Sequence, residues 1–321
     1  MNKFSEIVTD AIFPSGLYLN LTSHDAEEMR EQRAYWPFEH KQFGKGKFQG
    51  QLICVHTHRL QMSITHRSTG IFFRGGVPTG TSVISFPLTP CIQFYSHGKS
   101  LENNQVAALM PDDELEHHTS LPSSLLTIAV SSALLEHYAI ALTGKPFAEL
   151  RNQERLLIDQ NSYKDITNHL VRLLELFNCH HFKCSDAQEK MFENQVLETI
   201  LLGARPRKKV DKQLSRLTQA KKAENYIRDN LRNPLSISEL CLATGTTERT
   251  LHLGFKERLG ISPGAFIRIM RLNEIRQELR LSNSNKSVTE VAVNWGFYHL
   301  GRFAEQYSQM FGELPSQTKN I

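Results

Sequence analysis

Cysteine is scarce in this chain of 321 residues: Cys54, Cys91, Cys179, Cys184 and Cys241 are too few and too scattered to cross-link a disulfide scaffold. Long apolar runs are missing too, and no window approaches the ~18 to 20 continuous apolar residues that a membrane span requires. The opening text MNKFSEIVTDAIF carries acids where a secretion signal has its apolar centre, so export is not expected. These absences leave a soluble protein of the reducing cytoplasm, without a membrane partner. At 40% hydrophobic and 22% charged residues, the length suits about two domains.

The net charge of +4 conceals an uneven distribution. Residues 205–321 hold 20 Lys and Arg against 11 Asp and Glu, whereas residues 1–204 hold 17 against 22. A basic C-terminal third on an acidic remainder points to a polyanion as the partner of one part only.

The pattern changes along the chain in step with this. Residues 1–45 mix helix-compatible text (Ser23 to Arg33) with the aromatic stretch Tyr35-Trp36-Pro37-Phe38. From Phe48 to Ser131, short segments such as GQLICVHTHRLQMSI, GIFFRG, SVISFPL, CIQFYSHG, QVAALMP and LLTIAVS alternate with Gly, Pro, Asn and Ser. They read as antiparallel strands of a small barrel or sandwich. A helical period follows over 132–203: Ile166, Leu170, Leu173, Leu174 and Phe177 share one face, and Ser185 with Gln188 opens a second helix carrying Phe192, Val196 and Ile200. These leucine-rich faces pack onto the chain's own strands or form a homodimer interface. The polar segment 205–214, broken by Pro206, is expected to link residues 1–204 to residues 215–321.

A repeat dominates the C-terminal third. Ser236, Glu239 and Gly245 recur as Ser287, Glu290 and Gly296; after one inserted residue, Leu251, Phe255, Leu259, Gly260 and Pro263 recur as Phe303, Tyr307, Phe311, Gly312 and Pro315. Each copy, 236–260 and 287–312, reads as a capped short helix, a glycine turn and a second helix stopped by glycine. That is the helix-turn-helix plan, whose second helix enters the major groove. Between the copies, about Pro263 to Leu281, a helix with Phe266, Ile269, Leu272 and Ile275 inward and Arg268, Arg271, Arg276 and Arg280 along it would space the two readers, ideally by one DNA turn of ~34 Å.

Residues 215–321 resemble the DNA-binding domain of the AraC/XylS family. The resemblance rests on Trp295-Gly296-Phe297, Gly301-Arg302-Phe303-Ala304-Glu305, Tyr307, Phe311-Gly312 and Pro315-Ser316. In the first copy it rests on Arg249-Thr250-Leu251, Phe255-Lys256, Gly260-Ile261-Ser262-Pro263 and Arg271-Leu272. It implies an α+β protein, with an N-terminal cupin-like β-barrel (about 48–131) and flanking helices, and a C-terminal all-α domain with two helix-turn-helix units. It also implies a transcriptional activator of nearby genes that binds double-stranded DNA, works with RNA polymerase, forms a homodimer and answers to a small-molecule effector whose site the sequence does not locate. Neither catalysis nor a cofactor is expected.

The expected DNA-facing residues follow from helical geometry. With Leu251, Phe255 and Leu259 inward, the first recognition helix turns Thr247, Arg249, His252, Leu253 and Lys256 outward. Arg249 suits a bidentate pair to guanine, Leu253 a thymine methyl and Lys256 a phosphate. With Phe303, Tyr307 and Phe311 inward, the second presents His299, Gly301, Arg302, Glu305 and Gln309, Arg302 foremost. His299 departs from the small polar cap usual in the family.

Other constellations are weaker. Gly50 with His56 and His58 matches the start of a metal-cupin motif, but Gln61 and Met62 stand where its glutamate belongs. A metalloprotein carrying a DNA-binding domain is thus the alternative, and a regulator worked by a protein partner a third reading. The run Cys179 to Cys184 lacks zinc-knuckle spacing, and Asp112 to His118 reads as an acidic loop. No metal ligand is assigned.

Overall fold

The computed structural model describes residues 11–33, 35–89, 94–101, 104–178, 185–204, 215–281 and 286–319. The chain begins with β1 (Leu17–Ser23), α1 (Ala26–Glu31), β2 (Phe38–Gln42), β3 (Gly50–His56), β4 (Leu60–Arg67), β5 (Ile71–Gly75) and β6 (Thr81–Pro87). Next come β7 (Phe94–Ser96), β8 (Lys99–Ser100), β9 (Gln105–Leu109), β10 (Leu115–Thr119) and β11 (Ser123–Ser131). Then follow α2 (Ser132–Thr143), α3 (Phe147–Leu150), β12 (Arg155–Leu157), α4 (Tyr163–Asn178) and α5 (Asp186–Gly203). The helical C-terminal part comprises α6 (Ser215–Asp229), α7 (Ile237–Thr244), α8 (Glu248–Leu259), α9 (Pro263–Leu281), α10 (Val288–Asn294), α11 (Leu300–Phe311) and α12 (Pro315–Lys319).

The strands form a 7-stranded sheet, β1-β3-β4-β11-β6-β9-β12, and a 5-stranded sheet, β2-β5-β10-β7-β8. Alternation gives the first sheet two different faces. Outward, Met62, Ile64, Phe86 and Ile128 pack against Leu170, Val196 and Ile200 of α4 and α5. Inward, Val83, Leu109 and Leu125 meet Phe38, Phe73, Phe94 and Leu115 of the second sheet. The result is a sandwich with helices on one side, and no closed barrel forms among the described residues. The expected segment 50–64 is a hairpin rather than one strand, because Thr57 turns the chain by donating its N–H to Leu60 O at 2.8 Å.

That turn separates the two histidines of the metal-cupin-like text. His56 ends β3, buried, with Nε2 2.9 Å from Gln61 Nε2; His58 lies beyond the strand, with Nδ1 3.0 Å from Glu189 of α5. Among the described residues no group of three His, Cys, Asp or Glu is placed to hold a metal. The segment Asp112 to His118 is corrected as well. Leu115–Thr119 is a wholly buried strand, paired with β5 and β7. His117 turns toward Phe94 and Phe73 in the sandwich, while Glu116 and His118 turn toward the helical part.

Ser185 and Gln188 form the expected capping box, and Ile166, Leu170, Leu173 and Leu174 are buried. The Phe177 side chain, the Cys179–Cys184 run and the 205–214 segment lie outside the described residues. Among those described, no helix is long and apolar enough to cross a membrane.

Candidate nucleic-acid interface

Each helix-turn-helix unit is built by its local sequence. Ser236 accepts from Glu239 N, α7 ends at Gly245 in the left-handed region (φ +62°), and Thr247 caps α8 by accepting from Thr250 N. The second unit has the full reciprocal box between Ser287 and Glu290. In the first unit the Glu239 carboxylate instead accepts from the Tyr226 hydroxyl at 3.0 Å, so only half of the expected box is present. His299 opens α11 without a side-chain cap bond, as its departure from a small polar residue foretold.

Leu251, Phe255 and Leu259 are fully buried in α8, as are Phe303, Tyr307 and Phe311 in α11. Tyr307 also donates its hydroxyl to Thr318 Oγ1 at 2.7 Å. Burying each such side chain contributes about 1.5–3 kcal/mol, so the inward faces fix the rotation of both helices. The outward faces follow from that: Thr247, Arg249, His252, Leu253, Lys256, His299, Gly301, Arg302, Glu305 and Gln309 are all exposed. Among the described residues neither Arg249 nor Arg302 has an acid partner, whereas His252 lies 3.8 Å from Glu248 and Lys256 Nζ donates to Gly260 O. Gln309 is partly engaged, since Lys45 Nζ donates to its side chain at 3.1 Å.

The units are joined by α9, whose 19 residues span about 28 Å. Its arginines divide by task. Arg271 donates to the Leu231 and Asn233 carbonyls, Arg276 pairs with Glu313, and Arg280 pairs with Asp25 of the sandwich. Arg268 stays exposed and lines a cleft of about 290 Å³ with Arg271, His299 and Arg302, beside the exposed ring of Tyr298. Sequence periodicity placed Arg268 on α9 without showing that the second unit folds against it.

The outer face of the second sheet docks on this helical part. Phe43 and Phe72 enter the same core as Phe255 and Phe266, and His118 lies stacked 4.5 Å from Tyr95 beside them. Burial and the nearby Arg258 hold the His118 imidazole down at about 3. Gln42 and Asn273 exchange two hydrogen bonds of 3.0 and 2.8 Å, and Gly46 N–H donates to the Gln309 and Met310 carbonyls at the end of α11. Arg258 of α8 is buried between Glu116 and Glu224. Burial, with Glu116 close by, pushes the Glu224 carboxyl up.

Comparison with known proteins bears on the same segment. A family model described as a helix-turn-helix domain matches residues 240–321. XylDLEGF operon transcriptional activator 3 of Pseudomonas putida is 43% identical over 94 residues, which are 29% of this chain and 28% of that protein. The "Probable thc operon regulatory protein" of Rhodococcus erythropolis is 36% identical over 96 residues, 30% of this chain and 29% of the relative. The chain therefore spans under a third of these relatives' lengths. A crystal structure described as a probable AraC family transcriptional regulator from Rhodopseudomonas palustris CGA009 is 35% identical, covering 95% of that chain and 32% of this one (TM-score 0.31). Residues 240–321 are a helix-turn-helix domain of the AraC/XylS type.

Within this domain, the residues that carry the AraC/XylS resemblance divide by burial. Phe303, Tyr307, Phe311 and Pro315 form the core, while Gly301, Arg302 and Glu305 face outward. Arg258 was missed as a contact between the two parts, because a lysine- or arginine-rich helix reads as a solvated face until its neighbour is known.

Proposed function

We propose that the protein is a sequence-specific regulator of transcription that binds double-stranded DNA through α8 and α11 and activates nearby genes in response to a small molecule. The observation that carries this reading is the pair of helices with apolar faces buried and Arg249 and Arg302 turned outward, without acid partners among the described residues. Both curated relatives are named for control of an operon. Residues 1–204 then form a regulatory, cupin-like half, 205–214 the linker and 215–321 the DNA-binding domain. Arg249 and Arg302 read bases, with Thr247, His252, Leu253, His299, Gly301, Glu305 and Gln309 around them. Lys256 and Arg268 take phosphates. RNA polymerase is the second macromolecular partner. Exposed Leu176, Met191 and Leu202 on α4 and α5 support a homodimer.

A gel shift of the whole chain against DNA upstream of its own operon tests the reading. A sequence-selective shift that weakens steeply with salt, by ~0.9 log units per phosphate contact per decade, is expected. A shift indifferent to sequence and salt, or none, defeats it.

A further inference from the structure

One stretch departs from the acidic N-terminal half around it. Between Glu39 and Glu102 the sequence holds no Asp or Glu, but seven Lys and Arg. Three of the seven lie close together, Lys41 in β2 and Lys45 and Lys47 in the β2–β3 loop. Lys41 is taken up by Glu274 of α9 at 2.8 Å. Lys45 and Lys47 are exposed, and among the described residues no acid pairs with either.

The loop is held against the end of α11. The last carbonyls of a helix have no partner within it, and Gly46 N–H supplies one to Gln309 O at 3.1 Å and to Met310 O at 3.2 Å. Gln42 Nε2 fixes the loop from its other side, donating to Gly46 O at 2.7 Å and to Met310 O. Phe43 and Phe48 are buried on either flank. Lys45 thereby gains a defined place, and its Nζ donates to Gln309 Oε1 at 3.1 Å. Gln309 in turn donates to Glu305 Oε1 at 3.2 Å.

Arg302 and Gln309 stand two turns apart on α11, so they share one face to within about 20° and are separated by ~10.5 Å along the axis. Lys45 therefore continues the exposed stripe of Arg302, Glu305 and Gln309, although it comes from the sandwich. A helix of ~10–12 Å diameter fills a major groove ~12 Å wide, which leaves the phosphates along its flanks. A lysine at the far end of the stripe is a point charge on a flexible stem, suited to a phosphate rather than to a base edge. Its acceptor in the free chain is a neutral amide, which a charged phosphate oxygen outcompetes.

We infer that Lys45 is a DNA contact contributed by the sandwich, taking a backbone phosphate beside the groove that α11 enters. This deepens the proposed function and rests on its assignment of α11 to double-stranded DNA. The contact is made only while the two parts stay docked through Gly46, so undocking removes it. The test is fluorescence anisotropy of the whole chain over a range of salt. Its probes are a labelled duplex from the DNA upstream of the chain's own operon and a scrambled duplex of the same composition. Lys45→Gln should weaken binding to both duplexes alike, roughly 3- to 10-fold near physiological salt, and lower the salt slope by about one contact. Lys45→Arg should keep both values. Lys164→Gln removes one exposed charge from α4, on the opposite side of the sandwich, and should change neither. Phosphate ethylation interference gives a second readout, in which Lys45→Gln should lose the effect of one phosphate flanking the α11 site. An unchanged salt slope in Lys45→Gln, an equal loss in Lys164→Gln, a loss confined to one duplex, or interference retained at every phosphate overturns the inference. The two readings fail differently. A parent chain without selective, salt-sensitive binding sinks the proposed function and this contact with it, whereas a selective parent matched by Lys45→Gln sinks the contact alone.

Discussion

Arg258 of α8 and Glu116 of β10 form an ion pair that is 2% and 1% exposed, and it ties the first helix-turn-helix unit to the sandwich. Glu224 of α6 completes the set from within the helical part, at 3.2 Å from Arg258 Nε. A pair this deep is held in place by what its loss leaves behind. Without Arg258, Glu116 keeps only Lys221 at 3.1 Å, and Glu224 keeps Arg228 at 3.3 Å and Arg74 at 3.7 Å.

Arg258→Ala is accordingly expected to destabilise the chain by about 3 kcal/mol, the low end for a broken buried pair, because Glu116 and Glu224 stay buried but still face Lys221, Arg228 and Arg74. Chemical denaturation monitors this. Adding Glu116→Gln to the variant should recover part of the loss, and a double variant no more stable than the single one would contradict the electrostatic explanation.

Arg249→Ala and Arg302→Ala should each weaken specific DNA binding by about 1–3 kcal/mol while leaving the unfolding midpoint where it was. Their side chains are exposed. Fluorescence anisotropy with labelled operator DNA gives the affinity. Lys256→Ala should behave differently, lowering the salt slope by about one contact and affecting all sequences alike.

Gly245 and Gly312 both hold positive φ, +62° and +72°, but their surroundings differ. A Cβ at Gly245 meets nothing within 4 Å, whereas one at Gly312 meets Lys47 Cβ at 2.8 Å and Lys47 N at 2.9 Å. Gly245→Ala should cost about 1–2 kcal/mol from backbone strain alone. Gly312→Ala should cost more, and should increase proteolysis between the two parts by forcing the β2–β3 loop away from α11.

Stability should fall as the medium turns acidic. Burial holds His40 and His117 well below 6.5, His56 at about 4 and His118 at about 3. Below about pH 6.5 the unfolded chain binds protons at these rings that the native fold refuses. The stability they contribute is thus complete above that pH and is lost as pH falls toward the native values, by about 1.4 kcal/mol per pH unit for each ring. Denaturation midpoints measured from neutral to mildly acidic pH show the slope. His118→Gln should make it shallower.

Local order in the C-terminal third was legible in the sequence because its determinants are local. A serine cap, a glycine turn and apolar residues three and four apart specify a helix-turn-helix whatever lies beyond it, so the outward residues follow from the sequence alone. The sandwich was legible only in part. Strands rich in Val, Ile and Phe stood out, while β10, with Glu116, His117 and His118, did not, since its polar residues are buried by partners from other elements.

Amino-acid order by itself determined the two helix-turn-helix units, the rotation of their helices and the basic charge that accompanies them. Tertiary structure alone decided that Arg258 is a buried tie rather than a solvated cation, and that Gly46 donates to the last carbonyls of α11. The physical reason is range. Caps and periodicity act within a few residues, whereas the environment of a charge is set by whichever distant strand or helix excludes water from it.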